Sequence, residues 1–254
     1  MFDISLTNEI KELVYKGGAS ICGFADLSAV DADCRRGMPV GIAIGISLDP
    51  KIVANIPKGP FIEYFDLYGS VNKKLDEICL TVGIHLIALG YHAIPQTIKR
   101  INEDRISDAS GSDSGNPVKH TAGEVVRMPH KTVAAIAGLG WIAKSSLLVT
   151  HDYGSAVRLT SILTNAPLQT VSSDCSCLCG DCRICIDACP GNVIKNRQWD
   201  ISVNRNELID VAACRETVTE RGRNLGKTEA MCGLCMAMCP YTKKYLERAL
   251  SIVR

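Results

Sequence analysis

Ile10, Leu13 and Val14 recur at helical spacing among charged neighbours, which predicts an amphipathic helix over residues 4–15. Gly17-Gly18 stops it. Residues 20–25 then read as a short strand and 31–37 as a polar turn. Residues 40–48 alternate small and branched apolar side chains with glycine, the pattern of a buried strand. A loop is expected over 50–60. A long helix is expected over 61–89, clearest at 72–86, with a strand at 91–94. Residues 102–123 are polar, glycine-containing and without period, and read as a long loop or flap. A short helix follows at 129–138. Strands at 146–150 and 157–164 are expected to pair around the Asp152-Tyr153-Gly154 turn. This alternation of helix and strand predicts an α/β (α+β) sandwich around one sheet.

The last third of the chain changes character. Cys179-Gly-Asp-Cys182-Arg-Ile-Cys185-Ile-Asp-Ala-Cys189-Pro190 has the C-x2-C-x2-C-x3-C-P spacing of bacterial ferredoxins. There three thiolates hold one cubane and the fourth serves the other. A second run, Cys232-Gly-Leu-Cys235-Met-Ala-Met-Cys239-Pro240, supplies three more, and Cys214 lies between the two. Two [4Fe–4S] clusters follow, with crossed ligands. Cys179, Cys182, Cys185 and Cys239 hold the first; Cys189, Cys214, Cys232 and Cys235 hold the second. Zinc prefers two separated C-x2-C pairs, and this run crowds too many thiolates for it. Disulfides need an oxidising compartment, and residues 1–14 carry acids in place of a secretory core. Cys22, Cys34 and Cys79 read as buried apolar thiols. Cys175 and Cys177 read as spare thiols, an alternative ligand register or a further metal site, the first being favoured.

Length and charge narrow the remainder. The chain has 254 residues, 46% of them hydrophobic, and a net charge of +1, so nothing suggests a general nucleic-acid binder. No apolar run reaches the length of a membrane span; residues 78–90 are apolar but short and interrupted by His85. A cytoplasmic setting without membrane partners fits. The clusters need only residues 171–254, a ferredoxin-like domain. Residues 1–170 form a separate α/β domain with another task. No GxGxxG and no Walker loop supports dinucleotide or ATP binding there.

The segment 130–149, with its Ala137-Gly-Leu-Gly-Trp141 block and Lys144, carries a resemblance, together with Tyr153-Gly-Ser155, Arg158 and Leu163-Thr-Asn-Ala-Pro-Leu168. Followed by the cysteine runs, this resembles the double-cluster epoxyqueuosine reductases, distant relatives of reductive dehalogenases. The resemblance implies a nitroreductase-like, cobalamin-chaperone-like N-terminal domain that binds cobalamin. The clusters would feed electrons to the cobalt. FMN on the same fold is the alternative, and an electron carrier without chemistry of its own is a third reading. The resemblance further implies that Gly138 and Gly140 let backbone approach the corrinoid beside Trp141. Lys144, Ser145 and Arg158 would be its polar partners. The family's acid lies in an Asp-Thr/Ser-Ala-Pro-Val motif that this sequence lacks. An ungapped count puts Glu124 in its place, and His130 stands where the family has Glu. Ala143 replaces the family's Gly before the lysine. The family continues into a C-terminal helical-repeat domain that grips tRNA; this sequence ends at Arg254, so a small-molecule substrate is expected rather than tRNA.

Each candidate has a plainer reading. His130 is a candidate catalytic proton donor to a substrate and, more plainly, caps or braces its helix; Glu124 is a candidate catalytic acid and, more plainly, a solvated loop acid; Trp141 is core. Lys144 and Arg158 are surface charges, and Gly138 and Gly140 serve a tight turn. Basic residues over 195–227 form a solvated face, or dock an external electron donor such as a ferredoxin or flavodoxin.

Overall fold

The computed structural model describes residues 2–59, 62–107, 128–223, 225 and 231–251, with side chains from 103 to 127 excluded. In chain order the elements begin α1 (Ile4–Lys16), β1 (Ile21–Asp26), β2 (Val40–Ser47), α2 (Pro50–Asn55), α3 (Ile62–Ala88), β3 (Ala93–Pro95) and α4 (Ile98–Ser107). Then follow α5 (His130–Ile136), β4 (Trp141–Ile142), β5 (Leu148–Val149), β6 (Val157–Thr164), α6 (Ile184–Asp187), α7 (Arg205–Leu208), α8 (Val211–Arg223), α9 (Leu234–Ala237) and α10 (Pro240–Ser251). They divide into two compact units. The first comprises Met1–Ile46, Asn72–Leu139 and Arg158–Cys175; the second comprises Ser47–Val71, Gly140–Val157 and Ser176–Arg254. The second unit thus draws in two segments that precede the stretch 171–254.

The first unit is an α/β sandwich on a four-stranded sheet of order β1-β2-β6-β3. β1 and β2 run antiparallel from Ile21 opposite Gly45 to Asp26 opposite Val40, and β3 runs antiparallel to β6. Small residues set the helix packing. A Cβ on Gly41 would lie 2.6 Å from Val133 of α5, and one on Gly23 would lie 3.0 Å from Ala137, so α5 closes onto this face because side chains are missing there. β6 alternates: Ser161 meets His130 of α5, while Arg158 reaches Asn72 of α3. Helices therefore cover both faces. α1 starts where the Asp3 carboxylate accepts the Leu6 N–H at 2.8 Å, and it buries Leu6, Ile10 and Val14. It ends at Gly17, with Gly18 at φ 97°.

Three local expectations fail. Residues 50–58 are helical: Asp49 caps α2 by accepting the Lys51 N–H, Pro50 opens it as a first-turn proline, and a 3₁₀ turn follows over Ile56–Lys58. α4 occupies the start of the expected 102–123 loop, the rest of which, with Glu124, lies outside the described residues. β5 does not pair with β6. It pairs with β4 as a two-stranded hairpin, Trp141 opposite Val149, and β6 joins the main sheet. The turn at 150–154 is closed instead by Thr150 and Gly154 bonding each other.

Candidate iron–sulfur centre

The second unit is built around the two cysteine runs. In each, a Cys-x2-Cys pair leads into a single helical turn, α6 or α9, that ends at a Cys-Pro. Gly233 permits the second turn's entry: its φ is 74°, and a Cβ there would lie 3.0 Å from Tyr64. α8 presents Cys214 from a third direction. α10 begins at Pro240, so Cys239 stands at the N-terminus of a 12-residue helix. The N–H groups of Tyr241 and Thr242 act on its thiol, pulling its pKa down against the larger effect of burial.

The thiols fall into two sets. Cys185 is pushed up to about 11, first by burial and then by the neighbouring thiols of Cys179, Cys239 and Cys182. Cys235 is pushed up to about 12 by burial, then by Cys232, Cys185, Cys214 and Cys189. Cys214 is raised by burial, then by Cys189 and Cys232. Residues 54 positions apart, Cys185 and Cys239, are thus brought together, and Cys185 also lies within reach of the second set. Each set is a half-buried concentration of sulfur that disfavours thiolates unless positive charge enters. Iron supplies that charge. Among the described residues no three His, Cys, Asp or Glu side chains converge as a single-ion site; a cubane spreads its thiolates over four corners.

Trp141, Ala143 and Val149 form a buried cluster packed by Cys177, Cys179, Cys239 and Tyr241. The Trp141 and Tyr241 rings meet edge-on with centroids 4.8 Å apart, and Trp141 lies 5.3 Å from His151. The plainer core reading of Trp141 therefore describes its packing, yet that core touches sulfur. Lys144 is no surface charge. It is 4% exposed, and its ammonium donates to the Cys182 carbonyl at 3.2 Å and to Asn196 Oδ1 at 2.9 Å. Ser145 is buried beside it. Gly140 is demanded by the hairpin, because a Cβ there would lie 2.0 Å from the Val149 carbonyl oxygen. Gly138 is a left-handed turn residue, φ 72°, with only Val171 near its Cβ position. Arg158 is no free surface charge either, since its guanidinium donates to Asn72 at 3.1 Å.

His130 braces its helix through Nδ1, 2.8 Å from Ser161 Oγ. Cys22, Cys34 and Cys79 are buried, as expected, and burial pushes each up to about 12. Cys175 is also buried, with its thiol donating to the Ser173 carbonyl. Cys177 differs. Its sulfur shares a hydrogen bond with Cys179 and is lowered by it to about 6, with Lys144 contributing. Cys177 and Asn196 are the residues that sequence reading left without a role. Cys177 had a signal in its spacing from Cys179; Asn196 had none.

Residues 178–242 match the 4Fe-4S double cluster binding domain. The chain is similar to the epoxyqueuosine reductase of Listeria monocytogenes, 33% identical over 115 residues, which is 44% of this chain and 29% of that protein. It is 23% identical to the enzyme of Cyclobacterium marinum over 93% of this chain and 79% of the other. It thus spans less than half the length of the first curated relatives that it matches. Among solved structures it shares its fold with a reductive dehalogenase described in terms of B12-dependent dehalogenation. The TM-score is 0.64 at 18% identity, over 96% of this chain and 33% of that one. It also shares it with an epoxyqueuosine reductase holding an epoxyqueuosine-modified tRNA-Tyr stem loop. There the TM-score is 0.54 at 18% identity, over 94% and 66% of the chains. The chain is thus similar to epoxyqueuosine reductases and matches a double-cluster domain over residues 178–242. The comparisons give no support to the expected exclusion of tRNA. No described helix is long and apolar enough to cross a membrane.

Proposed function

We propose that this chain is an iron–sulfur oxidoreductase that passes electrons through two [4Fe–4S] clusters to a further cofactor for the reduction of a substrate. The observation that supports it most is the gathering of eight thiols, from two runs and α8, into two sets of four. Cys179, Cys182, Cys185 and Cys239 hold one cubane, and Cys189, Cys214, Cys232 and Cys235 hold the other. Four cysteines per cubane is the usual ligation. The action of Cys185 on Cys235 supports neighbouring cubanes that exchange electrons.

Cobalamin is the acceptor that the shared fold favours, since one solved relative is described as B12-dependent. Its finer fold label, nitroreductase-like, belongs to the same proposal. The residues put forward for the corrinoid do not carry it equally. Gly140, Trp141, Lys144 and Ser145 are committed inside the cluster-bearing unit: the glycine to the Val149 backbone, the lysine to Cys182 and Asn196. They fit a support for the cluster loops and do not fit a corrinoid cradle. Cobalamin is therefore proposed on the fold alone.

Metal analysis of anaerobically purified protein tests this. Iron near about eight per chain, with matching sulfide, is expected for two cubanes. Protein that takes up less than half of that after reconstitution overturns the reading. Titration with cob(II)alamin under reducing conditions tests the acceptor separately; no change in the corrinoid spectrum removes cobalamin and leaves the clusters standing. Epoxyqueuosine-modified tRNA, seen bound in a solved relative, is the first substrate to assay.

A further inference from the structure

The β4–β5 hairpin was singled out for a different cofactor, and its geometry points elsewhere. Ala143 N–H donates to Leu147 O, Ser146 N–H donates to Ala143 O, and Ser146 adopts φ 61°. This tight turn sends two side chains of one hairpin to one place. Trp141 packs with Cys179 and Cys239. Lys144 sets its ammonium on the carbonyl of Cys182. All three cysteines belong to the first proposed set.

One feature of Trp141 and one of Lys144 suit a cluster beside them. The Trp141 indole N–H is buried and has no partner within hydrogen-bond distance among the described residues; a buried donor without a partner is costly. The Lys144 ammonium is buried and bonded to two neutral oxygens. Negative charge beside a buried cation offsets the cost of its burial. A cubane with four thiolates carries net negative charge, and one unit more when reduced. Cation and N–H donors beside it favour the reduced state, which raises the potential.

We infer that Trp141 and Lys144 are positioning residues of the cluster held by Cys179, Cys182, Cys185 and Cys239, and that they raise its reduction potential. This rests on the two-cluster reading. It makes the hairpin a setting for the cubane rather than a corrinoid contact.

The test is a redox titration of the full chain, purified anaerobically and followed by low-temperature EPR. Wild type must first show its iron and two reducible centres; a wild type without them overturns the functional reading itself. Lys144→Met is expected to lower the reduction equilibrium of one centre at least tenfold, about 59 mV for a one-electron couple. Lys144→Arg keeps the charge and is expected to restore most of that shift. Trp141→Phe keeps the packing, removes the N–H and is expected to move the same centre in the same direction by less. It also stands alone should Lys144→Met lose its iron. The affected centre is identified as the one missing from Cys182→Ala. Unchanged midpoints in variants that retain iron overturn the inference, as do equal shifts of both centres.

Discussion

Cys239 belongs by position to the second run and by proposed ligation to the first cubane. Replacing it with alanine removes one corner of the cluster built on Cys179, Cys182 and Cys185. It leaves Cys189, Cys214, Cys232 and Cys235 intact. Burial disfavours a thiolate at that site, and the N–H groups of Tyr241 and Thr242 at the head of α10 offset this only in part; such a helix terminus contributes about 0.3–1 kcal/mol to a bound anion. A fourth thiolate is worth far more than that to a cubane, so the whole cluster is at stake. Iron is expected to fall from about eight toward about four per chain. Iron content alone cannot say which cluster went, so the assay is a comparison of reduced EPR spectra across three variants. Cys239→Ala and Cys182→Ala are expected to leave the same residual signal, that of the second cluster. Cys232→Ala is expected to leave the complementary one. If Cys239→Ala instead matched Cys232→Ala, each run would hold its own cluster and the crossed assignment would be wrong. That result would also remove the reason for placing Trp141 between Cys179 and Cys239 in a single cluster's surroundings.

Thr242 is fully buried, and its Oγ1 accepts the Ser155 N–H at 2.9 Å. Thr242→Val strands that donor and is expected to cost about 1–3 kcal/mol in denaturant unfolding; Thr242→Ser should stay within about 0.5 kcal/mol of wild type, and equal effects would refute the hydrogen-bond account. Gly154 sits at φ 56° with its Cβ position 2.2 Å from the Thr242 backbone nitrogen, so Gly154→Ala should sharply reduce the yield of iron-loaded protein, and normal loading would count against this contact. Cys22, Cys34 and Cys79 are held up to about 12 from an ordinary 9.0 by burial. Their raised values contribute stability that is fully present below pH about 9 and is lost as pH rises through about 12. Iodoacetamide at pH 8 should therefore leave all three unmodified in folded protein by peptide mapping, and labelling without unfolding would contradict their burial.

The parts of this molecule legible in its sequence share one property: their cause is local. Ile10, Leu13 and Val14 mark α1 because an amphipathic helix writes its own period, and Gly17-Gly18 ends it because of backbone freedom alone. The cysteine spacing is legible because a loop that wraps a cubane must place thiols at fixed intervals. What escaped is what depends on distant partners. β6 was matched to β5 because both are short apolar runs flanking a glycine turn, yet β6 contributes Ser161 to one face and Arg158 to the other of a sheet begun by β1. α2 falls where a loop is expected over 50–60, because Pro50 opens the helix behind the Asp49 cap. Lys144 is a charged residue after an apolar block, and nothing nearby in sequence reveals Asn196, 52 positions on, as its acceptor. Glycine carried the most ambiguous signal. Gly140 and Gly138 look alike in sequence, but only the first is pressed against backbone.

The ties that close the cluster-bearing unit reach back a long way. Tyr245 in α10 donates its hydroxyl to Leu48 O, 197 positions earlier, at 2.8 Å. The Ser155 N–H waits for Thr242, 87 positions later. Bonds of such sequence separation form late, since the intervening chain must be ordered first. During synthesis the segments 47–71 and 140–157 leave the ribosome long before the helix that locks them. The cysteines of the first run are translated next, and they lack their proposed fourth partner until Cys239 follows. Metal delivery to this chain is then a matter of timing: iron loaded too early meets a half-built cradle without Cys239, and the finished cradle exists only once residues 240–251 are free to fold.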